Sequence, residues 1–230
     1  MQIVPNLWQV EGLRVSHVFV LGGENGVVLV DTGVPRSAPA ILTYLEQIGY
    51  GPQDVRAIVL THTHTDHLGS APALHDATHA PIYVSPGEAP VVEGKQPIPR
   101  PAGPHAPLFA LFSNATRPAP APVHGLLRSG DPVPHAQGWR VVGTPGHSPD
   151  HLSLYHAGHQ LLIAGDALAN MRGLQGSPRI FTSDMALAQR SVALLAGLPL
   201  RSVVFGHGDP IIEDTTLPNQ LAAIASASRS

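Results

Sequence analysis

Short runs of apolar, often β-branched residues separated by turn-forming residues dominate the first sixty positions of the chain. These runs predict strands over 7–10, 15–21, 27–31 and 55–60, the last nearly continuous, as in a strand buried on both faces. Between the last two, apolar residues from Ile41 to Ile48 recur at helical spacing, and Gly49 follows as a stop.

The remaining pattern repeats this alternation of strand and helix. A helix is predicted over 67–78 and a strand over 82–84, and the second half predicts strands over 140–142, 152–155, 160–164 and 202–205. Amphipathic patterns predict helices over 183–196 and 219–228. Strands interleaved with helices in two similar halves indicate an α/β (α+β) protein whose sheets are covered by helices.

The segment 85–138 differs from both halves, because its 54 residues contain 12 of the 24 prolines. Proline lacks the amide donor that helix interiors and strand ladders need, so we expect much of this segment to be irregular. Long irregular segments in compact domains are often functional. We therefore expect a single domain over 1–230 in which 85–138 forms a lid or an insertion.

Composition removes several classes of function. The hydrophobic fraction of 43% is that of a globular protein, and a net charge of −3 gives no overall attraction for nucleic acid. The absence of cysteine excludes disulfides, thiolate catalysis and sulfur ligands. The start does not resemble a signal peptide, and no apolar run approaches a bilayer span. We expect a cytoplasmic protein that acts on a small molecule without nucleic acid or membrane, with homodimerisation left open.

Histidine is unusually frequent, with 14 against 13 lysines and arginines, and its positions matter more than its number. A cluster directly follows the predicted strand over 55–60. Residues two apart in extended chain face the same way, so His62 and His64 can bind one ion. A turn into a helix at Asp66 and His67 would direct those two side chains toward a second ion. The cluster reads His62-Thr63-His64-Thr65-Asp66-His67.

Two ligands per ion are too few, because zinc takes four and a catalytic site takes three from the protein. Three more candidates lie at or just after predicted strands, among glycines that allow sharp turns. They are His147, Asp166 and His207.

This set resembles the ligand set of the metallo-β-lactamase superfamily, and the resemblance runs from Asp31-Thr32-Gly33 to His207. It implies a four-layer αββα sandwich with the site at one edge. It also implies that Asp31 supports the ligand loop, although a plain turn residue before Gly33 is an equal interpretation of that aspartate. By the same resemblance, the first metal is bound by His62, His64 and His147, the second by Asp66, His67 and His207, and Asp166 bridges the two.

The resemblance implies a dinuclear hydrolase. Two Zn²⁺ ions per chain, with Mn²⁺ or Fe²⁺ as alternatives, would lower the pKa of a bridging water and give a hydroxide nucleophile. Asp66 would orient that hydroxide and carry its proton. The expected reaction is cleavage of an ester, thioester or lactone bond.

Details of the sequence separate the branches of the family. Thr144-Pro145-Gly146-His147 and Gly165-Asp166 resemble glyoxalase II, but only 23 residues follow His207, which puts glutathione thioesters in doubt. Ala169 stands where lactonases usually carry a tyrosine. Phosphodiesterase or β-lactamase activity, a mononuclear iron persulfide dioxygenase and a non-catalytic metal-stabilised scaffold stay open as alternatives.

Several other residues carry weaker signals. His151 and His17 are interpreted as structural histidines, although either could lie near the metals. Arg172 and Arg179 could contact an anionic substrate but are more typical of surface charge. The apolar residues of 109–112 within the proline-rich segment are expected to cover a pocket or a subunit contact. These are Phe109, Leu111 and Phe112.

Overall fold

The structure is a computed structural model that describes residues 1–23, 25–101 and 106–227. The strands are β1 Gln2–Val4, β2 Leu7–Gln9, β3 Phe19–Gly23, β4 Gly26–Val30, β5 Val55–Val59, β6 Ile82–Val84, β7 Gly125–Leu126, β8 Trp139–Gly143, β9 Leu152–His156, β10 Leu161–Ile163, β11 Leu168–Ala169, β12 Gln175–Gly176 and β13 Ser202–Val204. The helices are α1 Ala38–Gln47, α2 Thr65–Leu68, α3 Ala71–Thr78, α4 Ala89–Val92, α5 Ala106–Ala115, α6 Met185–Ala196 and α7 Leu217–Ala227.

The strands form two main sheets. The first runs in the order β1-β2-β3-β4-β5-β6-β7, antiparallel up to β4 and parallel from β4 to β7. The second has the order β13-β10-β9-β8, in which β10 and β13 are parallel and β9 is antiparallel to both β8 and β10. A small ribbon pairs β11 with β12.

Alternation along the strands explains the layering. In β4, Val27 and Leu29 pack into a core shared with α1 and α3, whereas Val28 and Val30 pack into a second core between the two sheets. A third core covers the outer face of the second sheet, where Leu162 of β10 packs with residues of α6 and α7. Because a strand's side chains alternate between faces, apolar residues at every position bury both faces. The result is a four-layer αββα sandwich, as expected.

Strand direction brings the predicted site residues to one edge. The chain leaves the parallel strands β4 and β5 into Asp31 and the His62–His67 loop. Strands β8, β10 and β13 share one direction, and their carboxyl ends lead into His147, Asp166 and His207. Ligands in α/β sheets bind beyond the carboxyl ends of strands, which is where these segments meet.

Most predicted elements are present, with shifted ends. The strand expected over 15–21 begins only at Phe19. The helix expected over 67–78 is divided into α2 and α3. The break lies at Ser70, just before Pro72 in the first turn of α3, because proline has no amide proton with which to continue the hydrogen bonds of α2.

Much of the described part of 85–138 is irregular, as expected, although the segment is not irregular throughout. Helices α4 and α5 lie inside it, and each carries proline at its second position. Proline in the first helical turn loses no hydrogen bond, so a high proline content is compatible with helix starts. Among the helices of the described residues, none is both long and apolar enough to cross a membrane.

Candidate metal centre

The His62–His67 loop is buried and turns as the sequence predicts. His62, His64 and His67 are 0%, 4% and 0% exposed. The chain is extended at His64, and α2 begins at Thr65. Backbone amides of His67 and Leu68 donate to the carbonyl of His64, at 2.9 Å each, which fixes the turn.

All seven predicted metal ligands lie in one cluster. Potential ligand atoms fall into three overlapping groups, each within 4.8 Å. The groups are His62, His64 and His147; His62, His67 and Asp166; and Asp66, His67 and His207.

Asp166 lies between the histidines of both sides. Its Oδ1 is 3.4 Å from His67 Nε2, and its Oδ2 is 3.4 Å from both His147 Nε2 and His207 Nε2. Asp66 lies beside the second group, with Oδ2 3.1 Å from His207 Nε2. One carboxylate therefore reaches both halves of the cluster.

Asp31 supports the ligand loop and lies outside the three groups. Its Oδ1 accepts from the amide of Thr61 at 2.8 Å, and its Oδ2 lies 2.8 Å from His67 Nδ1. The Thr61 hydroxyl donates to Asp31, so it must accept the 3.0 Å bond from His62 Nδ1. Both histidines thus carry their proton on Nδ1 and present Nε2 to the cluster. Asp31 itself adopts φ 63°, rare for a residue other than glycine.

A chain of hydroxyls orients His147 in the same way. Thr182 Oγ1 donates to the carbonyl of Pro178 at 2.7 Å, so Ser177 must donate to Thr182 Oγ1 at 2.8 Å. Ser177 Oγ then accepts from His147 Nδ1 at 2.9 Å. Because each hydroxyl has one proton, the direction of every bond follows, and Nε2 of His147 is left as the acceptor facing the cluster.

A second hydroxyl chain holds the backbone at Asp166. The Asp166 amide donates to His151 Nε2 at 3.1 Å, which leaves the proton on Nδ1 for Thr144 Oγ1 at 2.8 Å. Thr144 bonds Ser153, which donates to the carbonyl of Ala164. His151 is 0% exposed and is therefore a positioning residue of the cluster, unlike the plain structural histidine of the sequence interpretation.

The donor set fits a metal ion on two observations. Ring nitrogens of His62, His64 and His147 lie within 4.8 Å of one another, so the three histidines can bind one cation together. Three buried atoms that face the other ligands also have no hydrogen-bond partner in the described structure, and a buried polar atom without a partner is costly. They are His62 Nε2, His67 Nε2 and Asp166 Oδ1.

Burial keeps the histidines of the first group neutral. It is the main cause that lowers the pKa of His62 and His147 well below 6.5, and neighbouring histidines lower both further. Burial also lowers the pKa of His64. A neutral imidazole is the form that binds metal.

Charge dominates the second group instead. Burial favours a neutral His67, but the carboxylates of Asp166, Asp31 and Asp66 outweigh it and raise the pKa of His67 well above 6.5. Burial likewise opposes protonation of His207, yet its bonds to Asp166 and Asp66 raise its pKa to about 10. Against the opposing effect of burial, His67 and the bond from His207 lower the pKa of Asp66 to about 2. The carboxylates of this half therefore favour positive charge beside them, which a bound cation would supply in place of the histidine protons.

A family model described as "Metallo-beta-lactamase superfamily" matches residues 12–207, which is most of the chain. The chain belongs to the metallo-beta-lactamase superfamily. It is therefore a metallo-hydrolase by family, and the superfamily implies divalent metal ions at the cluster.

Relatives within the superfamily agree. The chain is 35% identical to "Probable metallo-hydrolase YflN" of Bacillus subtilis, over 86% of this chain and 83% of that protein. It is 28% identical to a hydroxyacylglutathione hydrolase of Fuscovulum blasticum, over 88% of this chain and 66% of that protein.

Solved structures of superfamily proteins share the fold. The family protein TTHA1429 of Thermus thermophilus superposes with a TM-score of 0.72 at 24% identity, covering 99% of this chain and 80% of that chain. TTHA1623, solved in a di-iron-bound form, superposes with a TM-score of 0.66 at 27% identity, covering 88% and 92% of the two chains.

One buried carboxyl near the superfamily motif gave no signal in the sequence. Glu88 is 0% exposed, and it accepts from the hydroxyl of Thr63 and, at 3.4 Å, from the amide of Asp150. It therefore joins the loop of His62 and His64 to the loop of His147. Ser177, Thr182 and Glu88 are ordinary residues at unremarkable spacing, so only the fold reveals their partners.

The other residues noted in the sequence are placed as follows. His17 Nδ1 lies 3.1 Å from the carbonyl of Phe205, and burial lowers its pKa. Arg172 and Arg179 are exposed. Phe109 contacts His64, with ring centroids 5.3 Å apart, whereas Leu111 is 70% exposed. The side chain of Phe112 lies outside the described residues.

Proposed function

We propose that this chain is a dinuclear metal-dependent hydrolase that cleaves an ester, thioester or lactone bond. The observation that supports it most is the position of Asp166, whose two oxygens lie 3.4 Å from histidines of both groups. A carboxylate in that position is suited to two ions. The identity to a hydroxyacylglutathione hydrolase favours thioesters within this range.

The ligand roles proposed here follow the three groups. His62, His64 and His147 would hold one ion, Asp66, His67 and His207 would hold the other, and Asp166 would be shared between them. Two divalent ions, when bound, supply a water of lowered pKa and polarise the carbonyl that is attacked.

The protein's own residues fix orientation and handle the proton. Asp31, directly and through Thr61, and Ser177 hold three histidines with Nε2 toward the ions, so no rotation of those rings is needed during the reaction. Asp66 is 24% exposed and ionised at neutral pH, which allows its carboxylate to accept a proton and pass it to solvent.

We propose zinc as the native metal and two ions per chain. Histidine and carboxylate donors without cysteine suit zinc, manganese and iron alike. The di-iron form of TTHA1623 makes iron the main competitor. Elemental analysis of protein purified from its own cells separates these metals.

Acid release in a pH-stat tests the reaction. Zinc-loaded protein is given a thioester, a lactone, a phosphodiester and a β-lactam, because hydrolysis of each liberates acid. We expect turnover of the thioester or the lactone, its loss in Asp66→Ala, and no change in Asp76→Ala, an exposed aspartate of α3.

Silence on the whole panel would contradict hydrolysis of these bonds. If the protein then held a single iron per chain, the mononuclear dioxygenase alternative would replace the hydrolase.

A further inference from the structure

Two aromatic rings extend outward from the metal centre. Phe109 of α5 lies edge-on to His64, with ring centroids 5.3 Å apart, and the ring centroid of Phe181 lies 6.2 Å from that of Phe109. His64 is itself 2.8 Å from His147 through ring nitrogens. The aromatic row thus begins at a proposed metal ligand and ends at the surface.

The turn that carries Phe181 is fixed to the metal centre. Thr182 is buried and ends the hydroxyl chain to His147. The amide of Ser183 donates to the carbonyl of His147 at 3.0 Å, and its hydroxyl donates to the carbonyl of Arg100 at 3.0 Å. These bonds hold the 179–183 turn against both the ligand loop and the proline-rich segment.

The outer end of the row is an exposed apolar surface. Ile180 and Phe181 are adjacent and are 53% and 44% exposed. Val15 and Met171, 55% and 58% exposed, also belong to segments at the centre: Val15 accepts from His207 Nδ1, and the amide of Asn170 donates to the carbonyl of His207. Scattered apolar residues are normal on a surface, but adjacent ones beside a reactive centre mark a binding site.

We infer that Phe109, Phe181 and Ile180 form an apolar wall that binds the acyl group of the substrate. This inference rests on the proposed hydrolase function, because the wall can bind an acyl group only if the substrate carbonyl is held at the metals. An acyl chain of several carbons would extend from that carbonyl along the wall and would cover the rings of Phe109 and Phe181. Phe181 and Ile180 are then specificity-determining residues.

A homologous series of substrates tests the wall. Acetyl, butyryl and hexanoyl thioesters of one thiol, N-acetylcysteamine, differ only in chain length. Each buried methylene is expected to raise kcat/KM by about two- to fourfold, mainly through KM.

Phe181→Ala is expected to flatten that dependence, with the largest loss of kcat/KM on the hexanoyl thioester. The protein should fold, because the side chain is almost half exposed. Leu194→Ala, which removes a 51% exposed leucine from α6, is the matched control and should keep the full dependence.

A binding measurement keeps the test independent of turnover. Ketones in which a methylene replaces the thioester sulfur cannot be hydrolysed, and their affinities for the metal-loaded protein are measured by calorimetry. Affinity that rises with chain length in the wild type, but not in Phe181→Ala, supports the wall even if no thioester turns over, in which case only the proposed function fails.

Two results would overturn the wall. If thioesters turn over but neither kcat/KM nor ketone affinity depends on chain length, the wall is wrong and the hydrolase stands. A dependence that Phe181→Ala leaves intact would also overturn the assignment.

Discussion

On one side of Asp166, His62, His64 and His147 are buried and neutral. On the other side, Asp66 and His207 are 24% and 20% exposed and carry charge. The supports differ as well, because His147 is held by a neutral hydroxyl chain and His67 by the carboxylate of Asp31. The first half therefore offers buried, uncharged ring nitrogens held in fixed orientations. The second half contains carboxylates, which favour cations, and it is open to solvent.

This difference suggests a division of labour. Rigid neutral ligands set geometry, and the charged, accessible half can exchange protons with water. Asp166 contributes to both halves, so its loss should have the largest effect. Substitution of a residue that orients a ligand should weaken metal binding mainly in the half to which that ligand belongs.

We expect Asp166→Ala to lower kcat/KM by about 10²- to 10³-fold, the size of effect seen when one transition-state stabilising group is removed. Both ions would lose a shared ligand, so metal content per chain should also fall. Steady-state kinetics and elemental analysis measure the two effects. Normal metal content together with normal turnover would show that Asp166 is not a shared ligand of the two ions.

Asp31→Ala should lower the free energy of unfolding of the metal-free protein by about 3 kcal/mol. The change leaves the Thr61 amide, the Thr61 hydroxyl and His67 Nδ1 without their acceptor, and each buried orphan costs about 1–3 kcal/mol. Urea unfolding measures it. An effect below about 0.5 kcal/mol would mean that water replaces the carboxylate.

Ser177→Ala should weaken metal binding by about 10- to 100-fold, the usual cost of removing a partner of a ligating histidine. The loss should fall on the ion of the neutral half, so one binding step of a Co²⁺ titration should weaken and the other should stay unchanged. Ser226→Ala is a suitable control, since its hydroxyl donates to the carbonyl of Ala223 within the exposed part of α7. Equal weakening of both Co²⁺ binding steps would contradict the view that separate residues orient the ligands of each half.

His151, which holds the backbone at Asp166, and His207 should make the stability of the metal-free protein depend on pH in opposite directions. Burial lowers the pKa of His151 to about 3, so the unfolded chain binds the proton first and stability falls as pH decreases below 6.5. The pKa of His207 is raised to about 10, so its stabilising contribution is present below pH 6.5 and is lost as pH rises toward 10.

Unfolding in urea from about pH 5 to about pH 9 measures both limbs, and each histidine contributes a slope of at most about 1.4 kcal/mol per pH unit. His151→Gln should make the acid limb shallower by one such contribution, and His207→Gln should do the same to the alkaline limb. The opposite pairing of variant and limb would refute the charges assigned to these two histidines.

The metal ligands could be predicted from the sequence more completely than the residues that hold them in place. The ligands are marked locally, by a buried strand followed by the His62–His67 cluster and by three strand ends with His147, Asp166 and His207. Ser177 reaches His147 across 30 positions, and Glu88 reaches Thr63 across 25. Such bonds depend on the packed fold, and hydroxyls and carboxyls of this kind are frequent everywhere in a sequence.

The fold shows the same division between local and distant causes. The apolar runs predicted the strands at the centre of the first sheet, because nearly every residue of β4 and β5 is apolar and both faces of these strands are buried. Helix α5 was missed because the many prolines of 85–138 suggested irregular structure, although Pro107, the proline within α5, lies in its first turn. The small ribbon of β11 and β12 has two residues per strand, too few for a periodic pattern.

Anomalous X-ray diffraction at the zinc edge, from crystals of the zinc-loaded protein, tests the central claim most directly. Two peaks per chain are predicted, one contacted by His62, His64 and His147 and the other by Asp66, His67 and His207, with an oxygen of Asp166 on each. A single peak, or two peaks with Asp166 on neither, would contradict a dinuclear centre joined by that carboxylate.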